Sequence, residues 1–245
     1  MTRDTLPIIE IFHSIQGEGT RVGEPATFIR LAGCNLRCTW CDTPYSWSAE
    51  GVAAAAKRSI SDIVAEVRES SVVITGGEPM LHARRLVPFI EALRTHGVQH
   101  VTIETNATIF DPSLAPHVDL WSLSPKLPAS GESFPAQTVA EFLSAQAAAQ
   151  LNGTVQLKFV CADVVADWDA MWTHLDEIAP AVLEGVDILV QPDGLRDDYA
   201  GAIRELAEHV IADTAEGASG RARRSRVRIV PQVHRIAWGA SARGV

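Results

Sequence analysis

The chain has 245 residues, 47% hydrophobic and 21% charged, a balance that suits one compact domain with a continuous core and excludes disordered, collagen-like or small disulfide-stapled proteins. Lys and Arg number 21 against 30 Asp and Glu, a formal net charge of -9, which disfavours a broad electrostatic grip on a nucleic-acid backbone. There are four cysteines; three crowd between positions 34 and 41, a spacing that points to metal or redox chemistry rather than a disulfide framework.

Met1–Glu10 mixes basic residues, acids and a proline with no signal-peptide apolar run behind it. No stretch approaches the ~20 apolar residues of a membrane span. The expectation is a soluble cytoplasmic protein. Short β-branched runs then alternate with longer amphipathic ones, the pattern of strand–helix units around a mostly parallel sheet. Strands are expected at Ala26–Ala32, Val72–Thr75, His100–Glu104, Leu120–Leu123, Val155–Cys161, Val186–Val190 and Arg226–Val230. Helices are expected at Ile60–Glu69 (capped by Ser59 or Ser61), Arg84–Thr95 (closed by His96-Gly97), Ala136–Ala149, Val165–Ile178 and Tyr199–Ile211. The Gly-, Ala- and Arg-rich Ala215–Arg226 reads as a solvated loop. Periodicity alone allows either a doubly wound sheet or an open partial barrel, and both place the site at the carboxyl ends of the strands.

The strand at Ala26–Ala32 runs into Gly33-Cys34-Asn35-Leu36-Arg37-Cys38-Thr39-Trp40-Cys41-Asp42, in which the cysteines are spaced C-x3-C-x2-C. Three thiolates on one loop can hold three irons of a cubane cluster and leave the fourth open to a chelating small molecule. A zinc loop would need a fourth ligand, from His13, His82 or Cys161, and lacks the second C-x2-C knuckle usual for zinc. Cys161 by itself reads as a small buried hydrophobe. After the next strand, Gly76-Gly77-Glu78-Pro79 can turn sharply, approach a ligand closely and offer acceptors to an ammonium group.

The cysteine loop and Gly-Gly-Glu-Pro together resemble the radical S-adenosylmethionine (SAM) superfamily over nearly the whole chain. The resemblance implies an α/β fold of the partial (βα)6 open-barrel kind, a single domain over 1–245 with its cluster loop at 33–43 and a substrate-side extension at about 226–245. It also implies a [4Fe–4S] cluster on Cys34, Cys38 and Cys41 that splits SAM to a 5′-deoxyadenosyl radical. By the same resemblance, SAM is held by Trp40, Asp42, Gly77, Glu78, Thr105, Ser124, Pro125, Lys126, Gln191, Pro192 and Asp193.

Three further stretches are more particular: Ile11-Phe12-His13-Ser14-Ile15-Gln16-Gly17-Glu18-Gly19, Phe28-Ile29-Arg30, and Pro231-Gln232-Val233-His234-Arg235 with Trp238-Gly239. They resemble the 7-carboxy-7-deazaguanine synthases, which contract the ring of 6-carboxy-5,6,7,8-tetrahydropterin on the route to deazapurines such as queuosine and release ammonia. That resemblance implies substrate contacts from Ile15, Gln16, Gly17, Glu18, Arg30 and Thr75, with Arg30 clamping the carboxylate, and Mg²⁺ at Thr43. It further implies an external reductant such as flavodoxin or ferredoxin, and a homodimer. Two rivals share the cysteine loop: a glycyl-radical activating enzyme, which would need an open docking groove, and a non-catalytic zinc-binding module. His234 is the one histidine singled out for test, and Trp47, Trp121, Trp168 and Trp172 read as packing residues.

Overall fold

The computed structural model describes residues 4–213 and 227–244. Within them, one sheet of nine strands runs in the order β3-β1-β2-β4-β5-β6-β7-β8-β9. The strands are β1 (Thr5–Ile15), β2 (Pro25–Leu31), β3 (Ala56–Ser59), β4 (Ser71–Gly76), β5 (His100–Thr105), β6 (Leu120–Leu123), β7 (Thr154–Cys161), β8 (Asp187–Pro192) and β9 (Val227–Ile229). β1 pairs antiparallel with β2 and β3, whereas β2 and β4 through β9 form a parallel array. The helices are α1 (Ala49–Ala54), α2 (Ile60–Val64), α3 (Ala83–His96), α4 (Ala136–Ala147), α5 (Val164–Asp176), α6 (Tyr199–Asp213) and α7 (Val233–Trp238).

From β4 onward each parallel strand is laid beside its predecessor in one direction, so the sheet is open and not doubly wound. Right-handed crossovers then put the connecting helices on a single face. The side-chain period of two divides the strands accordingly. Ile29 and Leu31, Val72 and Ile74, Val101 and Ile103, Trp121 and Leu123, Leu157 and Phe159, and Ile188 and Val190 point into one core with Leu86, Phe89, Phe142, Trp168 and Leu206 of the helices. The alternate positions, including Arg30, Thr75, Glu104, Ser124, Lys158 and Gln191, face a cavity on the opposite side.

Six of the seven expected strands match within one residue at either end, and the expected helices after β4 start and stop within two residues of expectation. α3 ends where Gly97 adopts a left-handed φ of 106°, and Ser59 caps α2 by accepting from the Asp62 N–H. Four corrections follow from tertiary context. β1 occupies a segment in which no strand was expected, and it contains Pro7. That residue sits where β1 pairs β3, and its carbonyl accepts from the Ala32 N–H. β3 and α1 are likewise additions, too short to carry a period. α2 stops at Val64, five residues early, because the chain bends away there: the Arg68 and Glu69 N–H groups turn to Thr27 Oγ1, which brings Glu69 against His13. Finally, 233–238 form a short helix where no helix was expected. Ala215–Arg226 lies outside the described residues.

The open sheet is closed across its polar face by the β1–β2 connection. Lys158 of β7 donates to Glu18, which also accepts from Gln232 Nε2 at 2.6 Å and Gln191 Nε2 at 3.3 Å. Thr20 donates through both its N–H and its hydroxyl to Gln156 Oε1, and Gln156 Nε2 donates to Ser122 Oγ. Burial alone would raise the Glu18 pKa. Lys158 first and His234 second outweigh it, with hydrogen bonds from Lys158 and Gln232, and bring it down to about 2. A depressed carboxylate contributes its stability above its ordinary value of 4.5 and loses it as pH falls toward about 2. Lys158→Met should therefore destabilise the protein by roughly 3–5 kcal/mol at pH 7, by stranding Glu18 without its cation. Lys158→Met/Glu18→Gln should recover much of that loss. Urea denaturation at pH 7 and between pH 4.5 and 2 checks both, the difference between wild type and Lys158→Met narrowing toward the acid end.

Candidate active site

The cavity has a volume of about 580 Å³ and opens at the carboxyl ends of the parallel strands. Its wall includes Cys34, Cys38 and Cys41 together with Trp40, Asp42, Thr43, Gly77, Thr105, Ser124, Lys126, Gln191 and Asp193. On the side of the β1–β2 connection stand Ile15, Gln16, Gly17, Glu18, Arg30 and Thr75. Of the residues expected from sequence, Glu78, Pro125 and Pro192 do not line it. Pro125 and Pro192 are buried behind it.

Cys34, Cys38 and Cys41 are half-buried, and the first and third have N–H donors on their sulfurs. Leu36 N–H and Asn106 Nδ2 approach Cys34 Sγ at 3.4 and 3.9 Å, and Trp47 Nε1 donates to Cys41 Sγ at 3.2 Å. Such donors suit sulfur that carries negative charge as a ligand. Burial pushes the Cys34 and Cys38 thiols up, so metal loading has to displace their protons. Among the described residues no three His, Cys, Asp or Glu side chains form a single-ion cage. The proposed fourth zinc ligands are all engaged elsewhere. His13 bonds Glu69, His82 bonds the Ala32 carbonyl, and Cys161 is in the core.

The cysteine loop docks onto the turn after β4. Glu78 N–H donates to Gly33 O at 2.7 Å, and Gly77 N–H to Leu31 O at 3.2 Å. A Cβ on Gly77 would stand 2.2 Å from Gly33 O and 2.8 Å from Cys34 Cβ, which only glycine avoids. The Glu78 carboxylate turns away from the cavity. It is fully buried and accepts from Met80 N–H, Thr105 Oγ1 and Asn106 N–H at 2.7–2.8 Å. Burial pushes its pKa up against those three donors. Glu78 thus organises the ends of β4 and β5, and Thr105 spends its hydroxyl on it. Across the cavity, Lys126 Nζ bonds Ser124 Oγ at 3.0 Å and lies 5.2 Å from the centre of the Trp40 ring.

Beside the β1–β2 connection, Arg30 Nε donates to Glu10 at 2.7 Å, and its guanidinium lies 5.7 Å from the Phe12 ring and 6.0 Å from Tyr45. Tyr45 OH donates to the same Glu10 oxygen at 3.0 Å, and Arg243 stacks 4.1 Å over the Tyr45 ring. Gln16 is buried with both amide ends engaged: Nε2 donates to Glu104 and Oε1 accepts from the Glu18 N–H. Gly17 passes so close to His234 that a Cβ there would fall 2.1 Å from Nδ1.

Sequence reasoning missed Glu104, Lys158, Tyr45 and Trp47, all of which line the cavity. Glu104 and Lys158 were findable as charged residues on the off-core parity of buried strands. Trp47 had been read as packing, but its N–H faces Cys41.

Three thiols on a loop at the carboxyl end of β2, set against a Gly-Gly turn in an open parallel array, define a radical SAM enzyme. A profile described as "4Fe-4S single cluster domain" matches residues 15–120. A 7-carboxy-7-deazaguanine synthase from Rhodopirellula baltica is 36% identical over 226 residues, 84% of this chain and 80% of its own. The crystal structure of QueE from Escherichia coli superposes with a TM-score of 0.64 at 28% identity, covering 94% of this chain and 95% of its own. Native anSMEcpe with bound AdoMet and Cp18Cys peptide, at 16% identity and TM-score 0.52 over 81% of this chain and 60% of its own, shares the fold. The chain belongs to the 7-carboxy-7-deazaguanine synthase family. Its cofactors are a [4Fe–4S] cluster and SAM, and no described helix is long and apolar enough to cross a membrane.

Gly77→Ala should force the cysteine loop off the β4 turn, weakening SAM binding by roughly tenfold or more, about 1.4 kcal/mol. Equilibrium binding of SAM to the reconstituted protein measures this. Cys34→Ala, Cys38→Ala and Cys41→Ala should each abolish iron loading outright.

Proposed function

We propose that the cavity binds 6-carboxy-5,6,7,8-tetrahydropterin between the cysteine loop and the β1–β2 connection and contracts its ring to 7-carboxy-7-deazaguanine with loss of ammonia. The observation that carries this reading is the pairing of a cationic wall at Arg30 with a carboxylate wall at Glu18 and Glu104, both facing the space beside Cys34 and Cys41. When bound, cluster and SAM supply a carbon radical able to take a hydrogen from substrate carbon 6 and later return it.

The chain's own residues bind and orient. Arg30, its Nε held by Glu10, keeps its remaining N–H donors for the substrate carboxylate. Its fixed position between Phe12 and Tyr45 lowers the entropy cost of that clamp. A pterin presents an amidine-like edge of N–H donors, and carboxylate oxygens are its complement. Glu104 and Glu18 supply them, while Gln16 bridges the two and sets their spacing instead of reading the edge itself. Ile15, Gly17 and Thr75 complete the wall. Lys158 keeps Glu18 ionised and His234 adds to its field.

For SAM, Lys126 with Ser124 suits the methionine carboxylate. Trp40, Asp42, Gln191 and Asp193 offer ring and polar contacts to the nucleoside, and the backbone at Gly77 and Thr105 shapes the pocket, with Pro125 and Pro192 packed behind it. Thr43, 3.9 Å from Cys41 Sγ, and Asp42 offer oxygen donors that fit a hard Mg²⁺ ion beside the substrate carboxylate. The reading treats 1–245 as one radical SAM domain, with its cluster loop at 33–43 and substrate-side extension at about 226–245. It is that of a cytoplasmic homodimer drawing electrons from a flavodoxin or ferredoxin.

Anaerobic reconstituted protein with SAM, reductant, Mg²⁺ and the pterin should yield the deazapurine by mass without stoichiometric loss of SAM. SAM cleavage with no deazapurine would overturn the substrate. Arg30→Ala should retain the cluster and uncoupled SAM cleavage but raise the pterin KM by roughly 10- to 100-fold, from loss of a charge-assisted pair of about 1.5–3 kcal/mol. An unchanged KM would remove Arg30 as the clamp.

A further inference from the structure

One segment matched no motif in the sequence: the stretch after Lys126, leading into α4. The structure gives its first six residues a specific place. Pro128–Ser130 form one turn of 3-10 helix, and its carbonyls point at the cysteine loop. Thr39, between Cys38 and Trp40, donates its N–H to Ser130 O and its hydroxyl to Ala129 O, both at 2.9 Å. Arg37 N–H, beside Cys38 on the other flank, donates to Glu132 Oε1 at 2.5 Å. Both neighbours of Cys38 are therefore tied to residues 129–132.

That turn is itself held from behind by one side chain. Asp167 of α5 is fully buried; its Oδ1 accepts from Ala129 N–H at 3.0 Å, and its Oδ2 from Ala162 N–H at 2.9 Å and Asp163 N–H at 3.1 Å. A single carboxylate thus ties the turn to the residues immediately after β7. Ser130, also fully buried, locks the turn internally through its hydroxyl on Leu127 O, and Glu132 N–H returns to Ser130 Oγ. A carboxylate deep in a protein with three backbone donors and no cation on it is costly to bury unless those donors need it. Here the three N–H groups, one in the 128–130 turn and two between β7 and α5, bond Asp167.

We propose that Asp167 is a positioning residue for the cluster-binding loop: through the 128–130 turn it fixes Thr39, and with it the separation of Cys38 from Cys41. The inference rests on the reading of those cysteines as cluster ligands. It predicts that the order of residues 37–41 depends on α5, an element with no residue on the cavity wall. Asparagine is a sharp probe, because it has one carbonyl and one NH2 where the aspartate presents two acceptors. Whichever way its amide turns, an NH2 meets either Ala129 N–H or the Ala162 and Asp163 pair.

The test compares D167N and T39V with D163A. The control removes the α5 cap, an Asp163 Oδ1 to Ala166 N–H bond of 3.1 Å, without touching the turn. In metal-free protein, hydrogen exchange of the 37–41 amides should quicken about tenfold in D167N and T39V and stay at the wild-type rate in D163A. The double variant should be no faster than either single one, since both cut the same chain of contacts. In reconstituted protein, the half-life of the cluster under a chelator should shorten severalfold in D167N and T39V alone. Unchanged loop exchange in D167N, or changes matched by D163A, would overturn the proposal. Should D167N fail to fold, T39V decides by the same two readouts, acting at the loop end with the core intact. Iron retained in full by Cys38→Ala would sink the ligand reading and leave the metal-free exchange result standing separately.

Discussion

The buried ion pair between Lys158 and Glu18 is the contact on which the rest of the cavity depends. A sheet whose strands are added in one direction has two unlike faces and two free edges. Helices cover one face. The other carries Arg30, Glu104, Lys158 and Gln191 on the cavity wall and Gln156 under Thr20, side chains that would stand in open water if nothing crossed them. The β1–β2 connection crosses them, and it is drawn in by charge more than by apolar contact, since Lys158, Gln191 and Gln232 all converge on one carboxylate. Desolvating both ions is expensive, and only the neutral donors around them make the exchange balance.

The same parity that assembles the core also sorts the chemistry. Every strand of the parallel array from β2 to β8 buries one set of apolar side chains against the helices and turns the intervening set toward the cavity or the connection above it. Cavity-facing residues are thus fixed by backbone hydrogen bonds in the sheet, as with Arg30 opposite Thr75 in the β2–β4 register. The cysteine loop has no such ladder. Its order comes from contacts at both sides: the β4 turn through Gly33 and the 128–132 segment through Thr39 and Arg37.

How much of this was legible in sequence follows from the range of the interactions. The parallel strands after β2 and their helices were readable because buried apolar runs and capped amphipathic stretches are local signals. β1 was not, since its Pro7 and mixed charges obey the edge pairing with β3 and not a hydrophobic period. The end of α2 was set by Thr27, some forty positions away, which no window on residues 60–69 contains. In the site, cysteine spacing and the Gly-Gly turn were visible because a cluster and a close backbone approach demand particular residues at fixed offsets. Glu78 shows the opposite. Its motif position suggested ligand contact, but its three donors come from Met80, Thr105 and Asn106, and only the fold reveals that its oxygens are already spent.

The bond from Gln232 to Glu18 joins positions 214 apart, and that from Lys158 to Glu18 spans 140. As the chain leaves the ribosome, Glu18 is therefore made long before either partner, and water must solvate it until they arrive. Contacts of such separation form late, because the intervening chain has to be ordered first. The three thiols, complete at residue 41, thus precede the finished vault over them by most of the length of the molecule. Vectorial synthesis leaves the cysteine loop approachable through an interval that ends only when α7 docks.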